Sequence, residues 1–600
     1  MTTTKRAADM IEELSNAYSN QPVILLAHCK RGDQEALGIK IRLARLFQIE
    51  ADAITANGHN GTYSFHIPGS YTTSFGNEYC ATSQEFAATA STIIDSAVIQ
   101  DTSGRALLDY TRNTILKMTD GQPTAAPLSL FYANFYDNTA HAMNDSFGIG
   151  RLYYCVHKEL SVVSNNIAAI AVARNIPTKS DRKYWESYYT TGGAVGDNTY
   201  VHGIKRAPGG TLVKMTSLGL KIRFPTSLYS VISSSRDRAA QYGNAIDSAL
   251  KLISTAKPLL QNSLSVGLSG GRDSRFVTAL ALQSDLDFQS FTAVPPDLEA
   301  DIAEQLHDKS RKHFRWERRD NRLKAKSGKP PTQLSPILER AADWFEFTGG
   351  DNWPTFMRKN SPRRKPIPVR SMALSGAFGD FARGHYYTKN EVISRDPETA
   401  INRMQSSFLK MRHLAPAEIR ESGVDQFKAT FDEMADHGIT GFYALDGSFL
   451  VNRMRRQFPH PGPNTLIPML STSMVADVFW DDPASKLNGD ALREMTNKLV
   501  PEWSSVPYFH EAAVGSDPAV TNKVTIQPTY WEVDRDDFLA SVEYSVKKND
   551  FFDLSTAAVE QAIVDLPGGR TRTNSFFETV FWHAGFNSLL DRINTVVSDG

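Results

Sequence analysis

The chain reads as an α+β amino-terminal domain followed by a doubly wound α/β domain with a carboxy-terminal helical layer. Short apolar runs separated by turn residues fill the first two hundred positions. A Ser-rich stretch at 227–237 then interrupts the pattern. After it come, in order, an apolar strand, a glycine turn, a helix and a second strand. That last order builds a right-handed parallel unit. The expected domains are 1–225 and 226–600.

The runs at 23–27, 128–133 and 152–156 predict strands, being short, apolar and bounded by turn residues. Apolar residues at three- and four-residue spacing predict helices at 33–47 and 86–97. The Ser-rich stretch predicts a linker. Beyond it the pattern predicts a long helix at 238–260, a strand at 265–268, a helix at 274–283 and a strand at 288–294. Helix-compatible spacing recurs at 403–411, 441–455 and 486–499, expected to pack against the sheet.

With 600 residues, 41% hydrophobic and 22% charged, the chain can bury a large core and is too long for one compact unit. A formal net charge of -1 gives no global field for nucleic acid or an anionic membrane, so any anion site must be local. Cys29, Cys80 and Cys155 show no CxxC spacing, which argues against disulfides or structural zinc and predicts small buried hydrophobes. No apolar run reaches signal-peptide or membrane-spanning length, and a cytoplasmic location is expected.

The most informative segment is Ser265-Val-Gly-Leu268-Ser269-Gly270-Gly271-Arg272-Asp273-Ser274. A strand running into Ser-Gly-Gly and then a helix converges backbone N–H groups on one point, which suits a phosphate. The glycines permit close approach, Ser269 and Ser274 add hydroxyls, and Asp273 can hold a divalent cation. The plainer alternative is a glycine turn that only caps a helix. The Lys of a Walker loop is absent. The full run resembles the PP-loop of the ATP pyrophosphatases. That resemblance implies ATP cleavage between the α- and β-phosphates, with Leu268, Ser269, Gly270, Gly271, Asp273 and Ser274 at the nucleotide.

A second segment, Ser375-Gly376-Ala377-Phe378-Gly379-Asp380-Phe381, again sets glycines around one carboxylate. It resembles the Ser-Gly-x-Gly-x-Asp-Glu segment of asparagine synthetases, which implies that Ser375 and Gly376 face AMP and that Asp380 shares Mg²⁺ with Asp273. The alternative is a glycine-rich surface loop. Phe381 replaces that family's Glu, and Ala377 stands where asparagine synthetases have Glu and β-lactam synthetases their catalytic Tyr. A substrate other than aspartate is implied. A basic stretch at 309–326, echoed at 358–359 and 363–365, could grip an anion or form solvated loops.

Asn144-Asp145-Ser-Phe147-Gly148 and Gly203-Ile204…Pro208-Gly209-Gly210 resemble the hairpin and closing segment of class II glutamine amidotransferase domains. The four segments occur in the asparagine synthetase family's order. The resemblance implies an Ntn-hydrolase-like αββα domain before the PP-loop synthetase domain. Glutamine hydrolysis in that family needs Cys after the initiator Met. Position 2 is Thr2, followed by Lys5-Arg6 and a polar helix, so a dead glutaminase scaffold is expected.

Three readings follow. The first is an ATP- and Mg²⁺-dependent synthetase that adenylates a carboxylate and closes a macrolactam on a peptide, as lasso peptide cyclases do. This branch implies a leader peptidase and a leader-binding protein as partners. The second joins ammonia or a small amine to a small-molecule or sugar carboxylate. The third is a silent binding module. No catalytic base is assigned; Lys486, Lys498, His510 and Lys523 are candidates by position alone.

Overall fold

The computed structural model describes residues 22–59, 61–69, 78–101, 103–121, 126–156, 160–236, 242–260, 264–320, 337–351, 372–411, 416–456, 465–514, 516, 540–541, 543–545, 547–548 and 572–599. Thr2, Lys523 and the basic positions 321–326, 358–359 and 363–365 lie outside them.

The amino-terminal strands form two six-stranded antiparallel sheets. In the first, Val23–Cys29 lies between Leu160–Ser164 and Thr62–Ile67; in the second, Ser129–Asn134 lies between Thr139–Asn144 and Glu85–Thr89. Successive side chains of a strand point to opposite faces, and the cores follow that rule. Ile24 and Leu26 meet Phe86, Ala88 and Phe131 between the sheets. Leu25 and Ala27 face outward onto Ala36 and Leu43 of the Asp33–Phe47 helix. Ala87 and Leu130 face outward onto Leu107 and Leu108 of the Arg105–Thr119 helix. Helix, sheet, sheet and helix stack as the expected αββα arrangement.

The helix expected at 86–97 is instead the strand Glu85–Thr89, followed by a loop and the short helix Ser96–Gln100. Phe86 and Ala88 enter one core and Ala87 the other, so a strand buried on both faces imitates helical spacing. Cys29 and Cys155 are buried as expected, but Cys80, on the short strand Tyr79–Ala81, is only half-buried. The expected linker holds the helix Leu228–Ser234, capped by the Ser227 hydroxyl. Leu228 and Ile232, one turn apart, anchor it in the parallel-sheet core.

That third sheet is five-stranded and parallel, in the order Arg315–Asp320, Phe288–Val294, Leu264–Gly267, Met372–Leu374, Thr465–Leu466. Its core includes Val266, Phe276, Leu280 and Leu374. Asp490–Leu499, which begins only after the left-handed Gly489, supplies Leu492 and Met495 to the same core. Within the basic segment, Arg315–Asp320 is a sheet strand and several charges are paired: Arg318 bonds Asp297 and Asp301, and Lys312, just before the strand, reaches Asp285 at 3.3 Å.

Other late helices pack elsewhere. Arg572–Ser598 lies against Ile337–Thr348, and their Trp582, Phe586 and Phe345 share a core with Trp185 and Ala168 of the amino-terminal layers. Arg206 also forms a buried ion pair with Asp351 and donates to the Arg455 carbonyl at 2.9 Å. The Asp145 hairpin sends Phe147 and Ile149 into the parallel-sheet core. No helix among the described residues is long and apolar enough to cross a membrane.

Candidate functional site

Leu264–Gly267 pairs in parallel with Phe288–Val294 on one side and Met372–Leu374 on the other. The chain adds strands one way from Leu264–Gly267 and the other way from Met372–Leu374, so the winding, not the strand direction, reverses between these two neighbours. Ligands of open parallel sheets bind at the carboxyl ends of strands, at that reversal. Both sequence-predicted loops, 268–274 and 375–380, leave the sheet there.

Within the first loop the serines fix the turn. The Ser269 N–H donates to Ser274 Oγ at 3.2 Å, the two hydroxyls lie 3.0 Å apart, and the Gly271 N–H donates to Ser269 Oγ at 3.0 Å. The helix Arg272–Gln283 follows with Gly271 at its N-cap and no side-chain cap. Its amino-terminal N–H groups are therefore suited to an anion. Gly270 is needed for close approach, because a Cβ there would come within 2.8 Å of Phe509 Cβ, and the Phe509 N–H donates to the Gly270 carbonyl at 2.9 Å. Leu268 is buried, its N–H bonded to the Phe291 carbonyl and its own carbonyl accepting from Thr292 Oγ1 at 2.6 Å.

The second loop folds onto the first. A Cβ at Gly376 would lie 2.8 Å from the Asp273 backbone, and one at Gly379 would lie 2.4 Å from Asp273 Oδ1. Gly376 thus admits the Asp273 backbone and Gly379 its carboxylate. Ser375 accepts the Ala377 N–H at 3.1 Å and its own N–H bonds the Leu466 carbonyl. Gly379–Arg383 is a 3-10 turn entered through left-handed Phe378 and left through left-handed Gly384. Three residues per turn align side chains at i and i+3, which sets Asp380 and Arg383 on one side. Arg383 Nη2 bonds Asp380 Oδ1 and lies 3.2 Å from Asp273 Oδ2. The structure therefore brings Asp273 and Asp380 together through a guanidinium.

Asp273 Oδ1 is buried and makes no hydrogen bond. Burial pushes the Asp273 carboxyl up to about 6, with Arg383 opposing and Asp380 adding to the rise. Among the described residues no three His, Cys, Asp or Glu side chains gather as a metal centre. Two carboxylates, one with an orphaned oxygen, beside a phosphate-suited loop nonetheless fit Mg²⁺, which typically takes one or two carboxylates and completes its shell with phosphate oxygens and water.

The positional candidates separate. Lys486 is fully buried, 2.7 Å from Asp446 Oδ2, with the Tyr387 hydroxyl on the same oxygen, and serves as a core ion pair. Lys498 pairs with Glu494 at 2.8 Å along its helix. Among the described candidates, only His510 reaches the loop: Arg272 Nη2 lies 2.7 Å from its Nε2, and since guanidinium can only donate, Nε2 accepts. Burial, and then Arg272, hold the His510 imidazole below its ordinary range. Arg272 and Arg383 border the two loops and are side chains that motif reading did not single out. Arg272 occupies the variable position of the glycine loop, and Arg383 sits three residues after Asp380.

Solved structures similar to part of the chain include two enzymes. One is glutamine phosphoribosylpyrophosphate (PRPP) amidotransferase from B. subtilis complexed with ADP and GMP, with 8% identity and a TM-score of 0.22. The match covers 41% of this chain and spans 60% of that enzyme's length. The other is described as the allosteric regulatory enzyme of purine biosynthesis, with 8% identity and a TM-score of 0.23, covering 53% of this chain and 82% of that one. The chain matches no protein-family model and no curated protein.

Proposed function

We propose that the protein is an ATP- and Mg²⁺-dependent amide ligase that activates a carboxylate as its acyl-adenylate and passes the acyl group to an amine. The observation that carries this reading is the meeting of the Ser269–Ser274 loop with the Asp273 and Asp380 carboxylates at the sheet's reversal point. The loop N–H groups and the two serine hydroxyls bind the β- and γ-phosphates, and Ser375 and Gly376 line the AMP side. Asp273 and Asp380 would hold Mg²⁺, which supplies charge neutralisation for the departing diphosphate. The substrate carboxylate oxygen attacks the α-phosphorus, the bond to the β-phosphate oxygen breaks and pyrophosphate leaves. The amine nitrogen then attacks the acyl carbon, loses its proton, and AMP departs with the oxygen that came from the acid.

Thr2 stands where glutamine hydrolysis by the resembled family needs Cys, so the nitrogen comes from an amine rather than from glutamine. The finer reading is ring closure within one peptide, the amine and carboxylate sharing a molecule and gaining effective molarity. Incubation with ATP, Mg²⁺ and acidic peptides containing ¹⁸O-labelled carboxylates tests it. One labelled oxygen should appear in AMP, and the product should have lost one water without added amine. Label in AMP only when an external amine is supplied would replace ring closure by intermolecular ligation. No label over a broad panel of acids would overturn the ligase reading.

A further inference from the structure

Arg383 stands where the two carboxylates of the site converge. One of its nitrogens touches both, Asp380 Oδ1 and Asp273 Oδ2, and its side chain is 34% exposed against 23% for Asp273 and 35% for Asp380. Two carboxylates packed this closely repel unless a cation sits between them. In this structure the cation comes from the chain itself. The arrangement is built rather than incidental. The 3-10 turn fixes Arg383 on the same side as Asp380, left-handed residues bound the turn, and two glycines clear the space that Asp273 fills.

The fit is also incomplete. Asp273 Oδ1 and Arg383 Nε are both buried without a hydrogen bond. A guanidinium bonding through one nitrogen leaves a carboxylate lone pair that a small divalent ion would take. Arg272, the residue before Asp273, gives the same loop a second fixed cation, its guanidinium held by His510 Nε2 at 2.7 Å and the Leu487 carbonyl at 3.4 Å.

We propose that Arg383 is a positioning residue, the resident counter-ion of the Asp273–Asp380 cradle, which a divalent cation must displace, the freed guanidinium then turning to the phosphates beside Arg272. The inference rests on the ligase reading for the identity of the cradle, and it assigns to Arg383 a competition with metal. Arg383 thereby keeps the two acids together before metal arrives, and metal occupancy is coupled to release of a cation next to the leaving diphosphate.

The test is titration of the nucleotide-free full chain with Mn²⁺ alone, followed by the electron paramagnetic resonance signal of free Mn²⁺. Removing the competitor in Arg383→Gln should tighten Mn²⁺ binding about fivefold, the upper range for a partly exposed ion pair. Arg383→Lys, which keeps the charge, should stay near the wild-type affinity, and Asp273→Asn should abolish binding. If Arg383→Gln binds Mn²⁺ as weakly as wild type, or more weakly, while Asp273→Asn still abolishes it, the counter-ion proposal fails and the metal cradle stands. If neither wild type nor Arg383→Gln binds Mn²⁺, cradle and proposal fall together. Equal tightening in Arg383→Lys would also overturn the proposal, because charge would then be irrelevant.

Discussion

Asp145, fully buried, and Asp273, partly buried with one oxygen enclosed, are carboxylates at tight turns rich in Ser and Gly, and the protein holds them in opposite ways. Asp145 accepts four backbone N–H groups: Phe147 and Ile149 on one oxygen at 2.9 and 3.2 Å, Leu128 and Gly150 on the other at 3.0 and 2.7 Å. Burial raises its pKa and those four bonds oppose the rise. The Pro208-Gly209-Gly210 turn closes over this hairpin, with Asn144 Nδ2 on the Pro208 carbonyl at 3.0 Å and the Gly210 N–H on the Asp145 carbonyl at 2.7 Å. Asp273 has one oxygen near a guanidinium and one with no partner. Asp145 thus fixes a hairpin that sends Phe147 and Ile149 into the parallel-sheet core, while Asp273 keeps one oxygen without a hydrogen bond. An acid with every lone pair filled holds its own turn; one with an open lone pair can still accept a partner.

The largest separation is expected from removing each acid. Asp273→Asn should lower carboxylate-dependent ATP–pyrophosphate exchange by about 10³-fold, the scale of losing one preorganised electrostatic contact in a transition state, and leave the urea midpoint unchanged or higher. Asp145→Ala strands four N–H donors and should destabilise by about 4 kcal/mol or more at roughly 1 kcal/mol for each donor, with exchange per folded molecule preserved. The reverse outcome, a stable inactive Asp145→Ala or an unfolded Asp273→Asn, would collapse the distinction.

Gly379→Ala sharpens it by moving the carboxylate without deleting it. The new Cβ meets Asp273 Oδ1 at 2.4 Å, so the side chain must shift. Exchange should fall by about 10²-fold, as expected for an ångström of misplacement, while far-ultraviolet circular dichroism stays native. Full activity would show that the acid's position is not critical.

The smallest effect concerns an intermediate case, Asp481, which accepts only the Tyr242 hydroxyl, at 2.9 Å. Burial pushes its carboxyl up to about 6, against the opposing bond from Tyr242 and the charge of Lys486. Because the folded pKa exceeds the unfolded value of 3.8, the folded state keeps a proton that the unfolded chain has released. This contribution is full below about pH 4 and disappears as the pH rises through about 6; across that window it amounts to roughly 2 kcal/mol. Asp481→Asn should flatten the stability–pH curve between those limits, and an unchanged curve would remove Asp481 from the comparison.

Local chemistry was legible where the chain's own spacing decides it. The strand at 288–294 and the helix at 33–47 match their predicted limits, and the glycines around Asp273 and Asp380 are visible in the sequence itself. What was hidden depends on distant partners. Nothing in the spacing of 86–97 shows that Ala87 enters a different core from Phe86. Arg383 carries no motif, and its role emerges only when Gly376 and Gly379 let a turn 110 residues away close over Asp273. Lys486 could not be separated from His510 by position, because only packing shows one against Asp446 and the other against Arg272.

The helix Arg572–Ser598 finishes a hydrophobic interior begun by residues hundreds of positions earlier. A ribosome adding about 5–20 residues per second therefore leaves that apolar face uncovered for on the order of tens of seconds. A stop codon before 572 would leave that amino-terminal core without Trp582, Phe586, Leu589 and Ile593, so truncation late in the chain reaches its earliest layers.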